Sequence, residues 1–151
     1  MFENASLKGS EMELRRFLIF SVEGKLYAFE SSVIAEVIGD ETVYPLPLTP
    51  KCVKGLINRF SLAYLLIDTA YALLGKTAQY GKILIFKEAI DKLAFTIDDC
   101  VDIVDVAQEE ISAIGEEHGV CISGMFYHKG QQVFTLDEQT LIEQIGAELA
   151  L

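Results

Sequence analysis

A strand pattern that occurs twice constrains this chain more than any other feature. Leu18-Ile19-Phe20 returns 66 residues later as Leu84-Ile85-Phe86. The same offset sets Ala28-Phe29 on Ala94-Phe95 and Val37-Ile38 on Ile103-Val104. Farther on, Lys54-Gly55-Leu56-Ile57 lies over Ser123-Gly124-Met125-Phe126 at an offset of 69, which also sets Ile67-Asp68 on Leu136-Asp137. Few residues are identical, but the pattern spans nearly the whole chain. Each copy reads strand, hairpin strand, turn, strand, loop, hairpin, helix.

The segments follow from local chemistry. A strand FLIFSV begins at Arg16, turns at Glu23-Gly24-Lys25 and returns as LYAFE. Ser31 and Ser32 are expected to cap one helical turn, and VIAEVIG follows as a strand ending at Gly39. All three prolines fall in Tyr44–Pro50. Proline fixes φ and removes a donor, so this segment is an extended loop and not a sheet centre. VKGLIN and LAYLLID are strands around a turn at Arg59–Ser61. Asp68 starts a short helix that Gly75 stops, and KTAQYG is a linker. In the second copy KILIFK and DKLAFTI pair, Asp98-Asp99 make a turn, and CVDIVDV is the next strand. QEEISAIGEEHG is a polar connection. CISGMFYHK and QQVFTLD form a hairpin around Gly130, and Asp137 caps a closing helix, EQTLIEQIGAEL. The opening dozen residues are polar and unpatterned, and read as a disordered tail.

Each copy is about 65 residues with roughly five strands, and such a sheet exposes its edges. Closing each copy into a small barrel removes them. Packing two barrels through one apolar face each accommodates a hydrophobic fraction of 51%. The fold class expected is therefore mainly β, with two five-stranded barrels, short helices and a pseudo-two-fold internal repeat.

Charge and composition exclude several functions. Twelve basic residues stand against 23 acidic ones, a net charge of −11, which repels phosphate backbones and anionic lipid heads. Nucleic-acid binding and membrane insertion are not expected. The opening residues have no signal-peptide apolar run, Leu62–Leu74 is too short for a bilayer, and the three cysteines are odd in number and widely spaced. A cytoplasmic protein with reduced thiols is expected. No catalytic residue, metal ligand set or cofactor site emerges. His118 and His128 read as exposed loop histidines, and Asp98, Asp99, Asp102 and Asp105 as solvated edge charges without calcium-loop spacing. Phe60 stands out, a large apolar side chain in a turn. Burial against the second half and exposure as an anchor for a partner both account for it.

The segments RFLIFSVEGKLYAFESSVIAEVIG, YPLPLTPKCVKGLINRFSLAYLLIDTAYALLG, ILIFKEAIDKLAFTIDDCVDIVDV and ISGMFYHKGQQVFTLDEQTLI together resemble the CheW-like domain of bacterial chemotaxis coupling proteins. The resemblance covers about nine tenths of the chain. It implies a tail over 1–14 and one CheW-like domain over 15–151, made of two intertwined SH3-like barrels at roughly 15–80 and 81–151. It implies a non-enzymatic adaptor that bridges the cytoplasmic tip of a chemoreceptor and the regulatory domain of the histidine kinase CheA. Ile34 and Glu36 fall where the family has a partner-contacting V-x-E-I type segment. Gly55 and Asn58 match the start of the family's G-x-x-N-L-R-G stretch beside the receptor groove. Arg59, Phe60 and Ser61 stand where the family has leucine, arginine and glycine, and Leu65 where it has proline. Arg59 and Phe60 thus join the candidate partner-binding set, and the departure implies either a divergent paralogue with altered partners or one that occupies a signalling array without transmitting signal normally. Two other readings stay open: a sensor binding a small ligand in an apolar groove, and an adaptor of a related pilus or gliding pathway.

Overall fold

The computed structural model describes residues 13–150. The expected tail over 1–14 lies outside the described residues except at its end, where Leu14 already opens a strand. Ten strands follow: β1 Leu14–Val22, β2 Lys25–Glu30, β3 Ile34–Ile38, β4 Val53–Arg59, β5 Leu62–Ile67, β6 Lys82–Phe86, β7 Leu93–Ile97, β8 Asp99–Ala107, β9 Ile122–His128 and β10 Gln131–Leu136. Two α-helices, α1 Thr69–Leu74 and α2 Glu138–Leu149, each follow the last hairpin of a copy. Asp68 Oδ1 accepts the Tyr71 N–H at 3.1 Å, and Asp137 Oδ1 accepts that of Gln139 at 3.0 Å, so both aspartates are N-caps as expected. The helical turn at Ser31–Val33 is present, but neither serine caps it. Its N-cap position is Glu30, which makes no side-chain capping bond.

The strands form two five-stranded sheets, ordered β8-β1-β2-β10-β9 and β3-β6-β7-β5-β4. Replacing every strand by its counterpart in the other copy turns one order into the other. The register obeys the same operation. Ala28 lies opposite Thr135 where β2 runs parallel to β10, and Ala94 opposite Leu66 where β7 runs parallel to β5. The offsets of 66 and 69 seen in the sequence convert one pair into the other.

Each sheet nevertheless draws strands from both copies, so the boundary near residue 80 does not separate the barrels. One link accounts for its exchange directly. An antiparallel return needs a turn of at least two residues, yet only Asp98 separates β7 from β8, so the chain runs on to the neighbouring sheet there. The three-residue turn Ser31–Val33 likewise carries the chain from β2 to β3 in the other sheet.

The exchange places the β1–β2 and β6–β7 hairpins in the middle of the molecule, buried on both faces. Phe17, Ile19, Leu26 and Ala28 fill the first barrel interior with Phe126 and Val133. Ile83, Ile85 and Ala94 fill the second with Ile57, Tyr64 and Leu66. The alternate residues Leu18, Phe20, Tyr27, Phe29, Leu84, Phe86, Leu93 and Phe95 meet between the barrels, joined by Leu141 and Ile145 of α2. Strands buried on both faces read as continuous apolar runs, which is why FLIF and ILIF show no alternation. Phe29 is central, with its ring 5.0 Å from Phe86 and 5.6 Å from Phe20 and Phe95.

Candidate functional site

Neither hydrogen-bonded ladder closes. β3 and β4 remain edges of one sheet, β8 and β9 of the other. Side chains bridge the resulting seams. Across the β3–β4 seam, Arg59 Nε and Nη2 both donate to Glu36 Oε1, at 2.9 and 2.6 Å. Arg59 Nη1 lies 3.9 Å from Glu41, and its guanidinium stands 5.6 Å from the Phe60 ring centroid. Glu36 and Arg59 are both half-buried, so their pairing contributes about 1 kcal/mol or less. Its larger effect is geometric, holding two edge strands side by side.

Phe60 and Ser61 form the two-residue turn between β4 and β5, at φ of 54° and 62°. Both lie in the left-handed region, as the tightest hairpins require. The other two such turns, Glu23-Gly24 and Lys129-Gly130, place glycine second. Ser61 does not, and a residue with a Cβ costs roughly 1 kcal/mol there. Phe60 is 54% exposed, and besides the Arg59 guanidinium its ring meets buried Tyr64, 6.3 Å away and steeply inclined, within its own sheet. Of the two accounts of Phe60, exposure holds, and it does not pack into the second half of the chain.

The candidate residues thus divide. Glu36, Arg59 and Phe60 converge at one end of the β3–β4 seam, and Glu41 and Tyr64, which sequence reasoning missed, complete the cluster. Asn58 is exposed on the opposite face of β4, since neighbours along a strand point opposite ways. Ile34 is half-buried and packs on the central core. Gly55 is buried, with φ of +148°, and a Cβ there would lie 2.5 Å from the Tyr44 carbonyl oxygen. Its local role is to let the proline loop approach, because Tyr44 exchanges two backbone hydrogen bonds with Leu56, at 2.8 and 2.9 Å. In the other copy Ser112 does the same with Met125, over Gly124.

The second seam has a pair at the equivalent place. Asp102 and His128 occupy the positions of Glu36 and Arg59, with His128 Nε2 3.2 Å from Asp102 Oδ2. His128 is not the exposed loop histidine expected. It ends β9 with its side chain 16% exposed, because the seam covers it. Asp102 is an exposed charge on edge strand β8, as expected, and lies beside His128. The offset of 69 from Arg59 to His128 was the signal available in the sequence.

Among the described residues no three His, Cys, Asp or Glu side chains are grouped as a metal site, and no helix is long and apolar enough to cross a membrane. Cys52 and Cys121 are counterparts in the central core. Burial, with a hydrogen bond to Glu148, pushes the Cys52 thiol up to about 12, so it stays protonated near neutrality.

Comparison with known proteins agrees with this architecture. A structure described as the scaffolding protein TtCheW from Thermoanaerobacter tengcongensis superimposes with a TM-score of 0.73 at 16% identity, covering 82% of this chain and 88% of that one. No curated protein matches the chain in sequence. The model of the CheW-like domain matches residues 16–146. The chain belongs to the CheW-like domain family.

Proposed function

We propose that the chain is a non-enzymatic, cytoplasmic adaptor that couples a chemoreceptor cytoplasmic tip to the regulatory domain of CheA, with Phe60 as an anchor of its partner-binding face. The observation that carries the site is the turn itself. Phe60 is a large apolar side chain, half exposed, held on a turn whose second residue lacks the glycine its conformation favours. Strain of this kind persists where the surroundings impose it, and it concentrates at functional positions. Arg59 is already paired with Glu36, so its charge is less available to a partner. Recognition here rests on the aromatic ring, with Asn58 on the opposite face and Ile34 and Glu36 shaping the adjoining edge strand. An exposed aromatic anchor of this kind fits the hot-spot pattern of protein interfaces.

Co-sedimentation of the purified chain with receptor cytoplasmic fragments and CheA tests the reading. The chain should enter the pellet with both components. Phe60→Ala should weaken incorporation by about tenfold, the loss expected on truncating a central aromatic anchor. Retention in the supernatant with both partners present would sink the adaptor reading. Unchanged incorporation of Phe60→Ala would sink the anchor alone.

A further inference from the structure

The loops that cover the two barrels diverge between the copies. The first ends in Pro47-Leu48-Thr49-Pro50, and Leu48 is the most exposed large apolar side chain among the described residues, at φ of 58°. The offset of 69 places Glu117 at the corresponding point of the second copy. The helices diverge as well. The counterpart of Leu74, where α1 ends, is Glu143, yet α2 continues to Leu149. Between its extra turns and the proline loop opens a groove of about 490 Å³, lined by Leu48, Pro50, Lys51, Tyr71, Glu148 and Leu149 among others. We propose that this face pairs with the same face of a second copy of the chain in a weak two-fold dimer, the Leu48 of each copy entering the groove of the other.

A two-fold contact requires one patch to carry both halves of the fit, because residue i meets j and j meets i. This patch does so in shape. Leu48 is the apolar projection, and Pro50, Tyr71 and the half-exposed Leu149 are apolar walls beside it. It does so in charge as well. Lys51 and Glu148 stand in the same groove, so across a two-fold axis the Lys51 of each copy faces the Glu148 of the other. A partner segment of one charge sign would match one of these residues and repel the other. Three prolines fix φ in the loop, and a leucine at positive φ is held there by its surroundings. Leu48 is thus presented at little further ordering cost. The patch is small, so the dimer is weak and forms at high local concentration. A net charge of −11 on each copy opposes it, and about 0.15 M salt screens that repulsion beyond about 8 Å. The Phe60 turn lies at the far end of β4, about 20 Å from Val53 at about 3.3 Å per residue, so pairing leaves it free. On the adaptor reading above, the pair is a bivalent coupler.

Sedimentation equilibrium of the full chain at about 0.15 M salt, loaded from about 5 μM to about 500 μM, tests the pairing without any other partner. The average mass of the wild type should rise from that of one chain toward that of two. Leu48→Asn removes the projection while tolerating a left-handed backbone, and should weaken association about tenfold. Lys51→Glu and Glu148→Lys should each weaken it about fivefold, since each sets like charges opposite one another twice. An equimolar mixture of these two variants should regain the wild-type affinity, because both cross pairs are then of opposite sign. Glu148 also bonds the Cys52 thiol. Where Glu148→Lys fails to fold, the exposed positions Leu48 and Lys51 decide the matter alone. A wild type that keeps the mass of one chain at the highest loading would overturn the pairing and leave the groove to an unrelated partner. Wild-type affinity in Leu48→Asn, or a mixture no tighter than its folded components, would overturn it equally.

Discussion

One end of the β3–β4 seam holds arginine against glutamate beside an exposed aromatic turn. The equivalent end of the β8–β9 seam holds histidine against aspartate beside a lysine-glycine turn. Strand order and register agree between the copies, so backbone architecture does not distinguish the two ends. Side chains alone do. The first end carries a fixed charge pair and an apolar projection on a strained turn. The second carries a histidine–aspartate pair and a turn with glycine at its second position. Repetition supplied two equivalent frames, and divergence of a few residues gave each frame a separate chemistry.

The glycines under the two covering loops test this comparison with the largest expected effect. Gly55→Ala places a Cβ against the Tyr44 carbonyl at a φ that side chains rarely adopt, and should destabilise the protein by about 3 kcal/mol. Gly124→Ala meets Ile111 Cγ2 and the Ser112 carbonyl oxygen at 2.9 Å without an unfavourable φ, and should cost about half as much. Equal losses in urea unfolding would mean that the two loops are held alike.

The turns come next. Ser61→Gly should stabilise the fold by about 1 kcal/mol and Gly130→Ser should destabilise it by a similar amount, because only the first exchange removes a Cβ from the left-handed region. Thermal melting of the two variants would show shifts of opposite sign. Shifts of one sign would contradict the strain assigned to Phe60-Ser61.

Much of the fold was legible in the sequence because its signals are local. Turn glycines, the capping aspartates and the apolar runs mark ten strands and two helices within a residue or two. Strand exchange between the copies was not legible, since it depends on how short the Asp98 link is relative to a hairpin. The site was legible in part. Arg59 and Phe60 stood out as departures from the family pattern. The pairing of Arg59 with Glu36 was hidden by 23 residues of separation, and Gly55 looked like a contact residue because sequence does not reveal that Tyr44 lies against it. His128 was misread because periodicity describes exposure along one strand and says nothing of an edge strand brought alongside.

A smaller effect comes from exchanging the seams. Arg59→His should give the first seam a pH dependence of roughly 0.5 kcal/mol between pH 5.5 and 8, stabilising at the acid end. The smallest comes from the Lys82–Asp99 pair, which links β6 of one sheet to β8 of the other at 2.7 Å. The Lys82 hydrogen bond holds the Asp99 carboxyl below the usual carboxylate range. Its stabilising effect is therefore present above that range and lost as the carboxyl is protonated in acid. Lys82→Met should lower stability slightly at neutral pH and not at all in strong acid, as followed by circular dichroism.

The central claim is that partners engage the Phe60 end of the β3–β4 seam. Adding unlabelled CheA regulatory domain, and separately a receptor cytoplasmic fragment, to the isotopically labelled chain and recording amide spectra tests it most directly. The account predicts that at least one partner perturbs the amides of residues 34–36 and 58–60, and that Phe60→Ala abolishes the perturbation there. Changes confined to the Tyr127–His128 end, or no changes with either partner, would contradict it.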